Sequence, residues 1–133
     1  MSPAPLAPPI PARASSRLDL ARLALGAALA VPEVLGAEAG VHATRVTADP
    51  PAGLLHGVSV IAQADGRYAV DLCLVARIVP LLALGEAVRR QVQESARRGG
   101  LADQLGTVNV EFARLLTPEE ALRGAHGGAE TFR

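Results

Sequence analysis

From Leu18 the apolar residues Leu18, Ala21, Leu25, Ala28 and Leu29 recur at helical intervals, and Leu20, Ala24, Ala27 and Val31 form a second apolar row beside them. This spacing predicts a first helix over Arg17 to Val31, opened by Ser16 and Asp19 at capping-box spacing and stopped by Pro32. Two apolar faces leave that helix with surface for the core and surface for something else. Beyond it, Pro32 to Gly53 carries little periodicity, with one short strand expected at Val41 to Thr47. Then the pattern changes to period two. Val58, Val60 and Ala62 alternate with Ser59 and Ile61, Asp65-Gly66 supplies a hairpin turn, and the return strand places Tyr68, Val70, Leu72, Leu74 and Ala76 on one face. Ala69, Asp71, Cys73, Val75 and Arg77 take the other face.

Past Pro80, Leu81, Leu84, Val88, Val92 and Ser95 trace one side of a second helix. Glu86, Arg90, Glu94 and Arg98 form a ladder of opposite charges four apart on another side, and Gly99-Gly100 ends the helix. Val108, Val110 and Phe112 alternate as a last strand, and Thr117 with Glu120 marks a capping box for a short helix from Pro118 to Arg123. The order predicts an α+β fold: a small, mainly antiparallel sheet, made of the hairpin and a C-terminal strand, packed against two main helices. Because the last strand follows a helical crossover, it is expected to run parallel to Tyr68–Ala76 and to lie antiparallel beside Val58–Ala62, making that strand central. Residues 1–14, with Pro3, Pro5, Pro8, Pro9 and Pro11, read as a flexible Pro-rich arm. Residues 15–116 read as one α+β domain, and 117–133 as a short helix and loose tail.

Composition narrows what such a domain does. Half of the 133 residues are hydrophobic, yet the aromatics are Tyr68, Phe112 and Phe132, so the core is aliphatic. Thirteen basic residues, all Arg, balance thirteen acidic ones, leaving no overall field to attract a polyanion. The stacking surfaces of single-strand binders are missing too. Cys73 is the single cysteine, which excludes an internal disulfide and fits a reducing, cytoplasmic compartment. The apolar run Leu18 to Val31 is interrupted by Asp19 and Arg22 and stops at Pro32, short of the roughly 20 residues of a membrane span.

The candidate chemistry is sparse. His42, His56 and His126 lie in separate segments without ligand spacing, so no metal residue is assigned. Cys73 could meet His56 across the hairpin, but a cysteine in an aliphatic strand reads as an inert core residue. Asp71 lacks a second acid or base and is expected to be solvated or to pair with Arg77. Gly99-Gly100 follows a helix, whereas phosphate-binding glycines precede one. No catalytic or cofactor-binding residue is therefore assigned, no cofactor or small-molecule substrate is expected, and the chain reads as a non-enzyme. Arg89, Arg90, Arg97 and Arg98 make the best basic patch and carry the alternative reading, nucleic-acid contact along the second helix. The interleaved Glu86 and Glu94 favour a solvated salt-bridge face instead.

Val58-Ser59-Val60, Ala69-Val70-Asp71-Leu72-Cys73-Leu74-Val75, Val79-Pro80 opening a helix with Glu86, Val88 and Val92, and Gly100-Leu101 leading to Val108-Asn109-Val110-Glu111-Phe112 together resemble the alkaline shock (envelope stress response) protein family. Ala28-Leu29-Ala30-Val31-Pro32-Glu33-Val34 is similar to that family's first helix and its Val-Pro exit. The Pro-rich arm, the long loop to Gly53 and Leu81-Leu82 at the start of the second helix depart from the family pattern. The resemblance implies a non-catalytic cytosolic protein of cell-envelope homeostasis. It also implies docking of some members on a protein anchored in the inner membrane, and the apolar surface left by the first helix or the sheet is expected to serve that docking or self-association.

Overall fold

The computed structural model describes residues 9–51 and 53–123. It is a two-layer α+β fold in which a four-stranded sheet carries both main helices on one face. In chain order the elements are α1 (Pro9–Leu29), β1 (Val34–Ala37), β2 (Val46–Asp49), β3 (Gly53–His56), β4 (Val58–Ala62), β5 (Tyr68–Arg77), α2 (Leu81–Arg98) and β6 (Leu105–Leu116). A short helix α3 follows at residues 118–123.

The alternation in β5 dictates the layering. Tyr68, Val70, Leu72, Leu74 and Ala76 are all buried on the helix side, where they meet Leu20, Ala24 and Ala28 of α1 and Leu84, Val88 and Val92 of α2. The row Leu20, Ala24, Ala27 and Val31 of α1 is buried together with Ala21 and Ala28 of the other row, whereas Leu18 and Leu25 are half-buried and Leu29 is exposed. Arg17 lies over the Tyr68 ring at 5.5 Å, tying α1 to the start of β5. At the far end of α2, the Leu23 side chain closes on the backbone of Gly99.

Both main helices, the β4–β5 hairpin, the last strand and the short helix after it are present as read from the sequence, but several details differ. The last strand does not lie beside β4. It pairs in parallel with β5, from Tyr68 opposite Leu105 to Arg77 opposite Leu116, so β5 and not β4 is central. A strand-helix-strand connection returns the chain to the position next to the strand it left, and that edge of β5 was still open. The other edge of β5 is divided. β4 covers its first half, Val58 opposite Leu72 through Ala62 opposite Tyr68. β1 covers its second half, Val34 opposite Ala76 through Ala37 opposite Leu74.

Helix α1 starts at Pro9, so Ser16 and Asp19 lie inside it and the second half of the stretch read as a Pro-rich arm is helical. Prolines are tolerated in a first turn because the amides there have no intrahelical acceptor to lose. Residues 1–8 and 124–133, the rest of the arm and the tail, lie outside the described residues. The strand expected at Val41 to Thr47 is a turn of 3-10 helix at Val41–Ala43 followed by β2, which pairs with β3 as a separate hairpin. That hairpin is fastened by Arg22 of α1 on the buried carboxylate of Asp49 at 2.5 Å, and by the Thr47 hydroxyl donating to the Val58 carbonyl at 2.8 Å. At the β4–β5 turn only Gly66 of the Asp-Gly pair has positive φ, and the Asp65 carboxylate instead accepts from the Arg67 amide at 2.9 Å.

Gly57 is where β1 and β4 meet along β5. Its φ is +100°, its carbonyl accepts from the Cys73 amide, and a Cβ built there falls 2.3 Å from the Ala37 Cβ. Gly66 has a similar φ of +88° but open space around it. Gly57→Ala is therefore expected to combine backbone strain with overpacking and to cost on the order of 3 kcal/mol, against about 1 kcal/mol for Gly66→Ala, as read by urea unfolding.

Candidate functional site

The residues with chemical potential are kept apart. His42 and His56 are both exposed, one in the 3-10 turn and one at the end of β3, and His126 lies outside the described residues. Among the described residues no three His, Cys, Asp or Glu side chains gather as metal ligands would. Cys73 is fully buried on the sheet face opposite the helices, beneath the segment that carries Gly40 and Arg45. His56 adjoins Gly57, whose carbonyl bonds the Cys73 amide, yet its exposed ring and the buried thiol do not share a site. Burial pushes the Cys73 thiol up, Glu111 and Glu38 push the same way, and Arg45 partly offsets them. A neutral, enclosed thiol is a poor nucleophile.

Around that thiol the outer sheet face carries a polar weave. Asn109 donates to Asp71 at 2.7 Å, so Asp71 is engaged across the parallel strand pair and not with Arg77. Arg45 meets Glu111 at 3.5 Å, and Arg114 reaches across β5 to Glu38. These are structural cross-strand contacts in which each acid faces a cation or an amide.

On α2 the ion pairs are Glu86 with Arg89 and Glu94 with Arg97 and Arg98. Two of the three links are three apart, so the ladder at four-residue spacing is only partly realised. Arg89 also donates to the Val108 carbonyl of β6 at 3.1 Å. Glu86 and Glu94 offset only part of the charge of the four arginines on this helix, so a positive excess of two remains on it. An open groove of about 660 Å³ runs between the exit of α1 and this face of α2, lined by Ala30, Val31, Pro32, Glu33, Arg90 and Glu94 among others.

A third surface is apolar. The C-terminal ends of the parallel strands β5 and β6 and the start of α2 share one pole of the molecule, which collects Ile78 at 61% exposure, Leu82 at 89% and Leu115 at 38%. Leu81 lies beside them, and Leu122 of the short helix after β6 is 63% exposed. A cluster of large aliphatic side chains held in water costs solvation free energy and marks a contact surface more readily than a chemical one. Leu81-Leu82 was its visible sign in the sequence. Ile78 and Leu115 gave none, because alternation places a residue on a face without saying whether anything covers that face.

Comparison of the chain with protein-family models, curated proteins and solved structures returned no match. No helix among the described residues is long and apolar enough to cross a membrane.

Two measurements test these surroundings. Cys73 should resist alkylation in the native chain and react when it is unfolded; because its folded pKa is raised, the stability tied to the neutral thiol is intact below the unfolded thiol range and declines as pH rises through it. A native thiol that reacts as fast as a free peptide thiol would contradict the burial. At the other end, the Thr117 amide donates to Glu120 at 2.8 Å and holds its carboxyl below the usual range, while the Glu120 amide donates to the Thr117 hydroxyl at 3.1 Å. The depressed pKa means this cap is fully present above the ordinary carboxylate range and is lost as pH falls through the lowered value. Amide chemical shifts of residues 118–123 should therefore move toward coil on acidification, and Glu120→Gln should leave them nearly insensitive to that pH change.

Proposed function

We propose that this chain is a non-catalytic interaction protein of the alkaline shock type, acting in cell-envelope stress as a scaffold at the cytoplasmic side of the inner membrane. The observation that carries the reading is the exposed aliphatic pole at Ile78, Leu81, Leu82 and Leu115. It sits at the junction of β5, α2 and β6, inside the stretch whose wording resembles that family. An apolar patch of this kind suits an apolar segment of a membrane-anchored protein, which would hold the chain at the membrane without a span of its own.

The test is a crosslinked pull-down from the native host with the full chain. Wild type should capture an integral-membrane protein, and Ile78→Glu with Leu82→Glu should lose it. Both side chains are well exposed, so the variant should keep its unfolding free energy within about 0.5 kcal/mol. Equal capture by wild type and variant would remove the pole as the docking surface. Capture of no membrane protein by the wild type would remove the docking reading itself.

A further inference from the structure

Strand β6 is the longest in the sheet, at 12 residues, and among the described residues β5 is the one strand paired with it. A long open edge offers backbone donors and acceptors to any other strand, and proteins usually blunt it. Here the blunting is partial. Arg89 caps the Val108 carbonyl, just as Thr47 caps the Val58 carbonyl on the opposite side of the sheet. Since a residue's amide and carbonyl point to the same side of a strand, the Arg89 contact shows that Val108 faces away from β5, and alternation turns Val110 and Phe112 the same way. Between Phe112 opposite Leu74 and Arg114 opposite Val75 the register slips at Ala113, which resets the alternation so that Leu115 faces outward as well.

We propose that this open stretch of β6, Val110 to Leu115, pairs antiparallel with the same stretch of a second copy of this chain about a two-fold axis at Phe112. With the bulged Ala113 of each copy left out of the pairing, the register brings Phe112 opposite its own copy and Val110 opposite Leu115, so the outward-facing amides and carbonyls meet each other and half-buried or exposed apolar side chains lie together on the helix side. On the outer face it brings Glu111 opposite Arg114. Within each chain Glu111 already meets Arg45, and Arg114 already meets Glu38. The pairing joins these into an alternating run: Arg45, Glu111, then Arg114 and Glu38 of the second copy. The neighbouring registers that keep the faces matched would set Glu111 on Glu111 or Arg114 on Arg114, so charge selects the register as well as the partner. The inference rests on the reading of the chain as an interaction protein and names one of its partners.

Sedimentation velocity on the full chain across a concentration series tests it. Wild type should show a monomer–dimer equilibrium. Glu111→Arg and Arg114→Glu should each weaken it about tenfold, because like charges then face each other twice across the axis. The double swap should restore it. This series separates the interface from a merely structural role, since within one chain the double swap sets like charges beside both Arg45 and Glu38 and would be the worst of the three. In wild type the amides of Val110, Phe112 and Leu115 should gain hydrogen-exchange protection as concentration rises, a readout that needs no variant. A wild-type chain that stays monomeric throughout, a dimer indifferent to Glu111→Arg, or a double swap no better than the singles overturns the pairing. A monomeric chain that still captures a membrane protein sinks this inference and leaves the docking reading standing; a register-sensitive dimer that captures none does the reverse.

Discussion

The fold depends on one strand having its hydrogen-bonding edges satisfied. β5 runs ten residues through the middle of the sheet, and its residues from Leu72 to Ala76 are buried on both faces. A backbone placed there cannot turn to water for its amides and carbonyls, so each must find a strand. β6 provides one whole edge. The other is too long for β4 or β1 alone, and the chain solves this by abutting the two, with the Cys73 amide bonded to the Gly57 carbonyl and the Cys73 carbonyl bonded by the Glu38 amide. Cys73 is thus the seam of the sheet. Gly57 has to be glycine because the two strands approach too closely for a side chain, and a small, unreactive thiol suits the enclosed place beneath the Gly40–Arg45 segment.

That constraint separates what was legible in the sequence from what was not. Faces were legible. Period-two alternation in Val58–Ala62 and Tyr68–Arg77 and the helical stripe of Leu84, Val88 and Val92 each assigned a side to the core, and burial on those sides follows except at Ala62, which is exposed at the end of β4. The Thr117 and Glu120 capping box was legible because capping chemistry is local. Neighbours were not. Alternation says which way Val110 points and is silent on which strand lies beside it, so β6 was expected on β4. Strands of four residues, as in β1, β2 and β3, are too short to carry a period, and Val41–Ala43 lies in a turn where His42 and Ala43 take positive φ values that nothing in their identity announces. The candidate surface was legible only at Leu81-Leu82, where two large apolar residues begin a helix.

The charged residues show why composition excluded more than it assigned. The α2 arginines look like a basic patch in sequence, but Glu86 and Glu94 engage Arg89, Arg97 and Arg98, and Arg89 also holds the Val108 carbonyl. On the outer face Glu38, Arg45, Glu111 and Arg114 connect β6 and the segment after β1 across the central strand. Exposed ion pairs of this sort add little stability one by one. Their greater effect is on specificity, because each fixes which strand offset leaves no charge facing its like.

Arg89 then has a role that neither its charge nor its helix would suggest. By bonding the Val108 carbonyl it occupies an outward acceptor of the β6 edge with a side chain from its own molecule, while among the described residues no strand pairs with the stretch beyond Val110 that runs toward the aliphatic pole. An edge blunted along its whole length would protect a solitary protein, and an edge open along its whole length would invite indiscriminate strand addition. Partial closure limits addition to a short segment that begins beyond the Val108 carbonyl held by Arg89 and carries the bulge at Ala113. The same geometry that pairs β5 on both sides pairs β6, among the described residues, on one, and places its unpaired backbone edge at the end of the molecule that carries the exposed Ile78, Leu82 and Leu115. Two kinds of unsatisfied surface, polar backbone and aliphatic side chain, converge on one end of the molecule, where a protein contact can satisfy both.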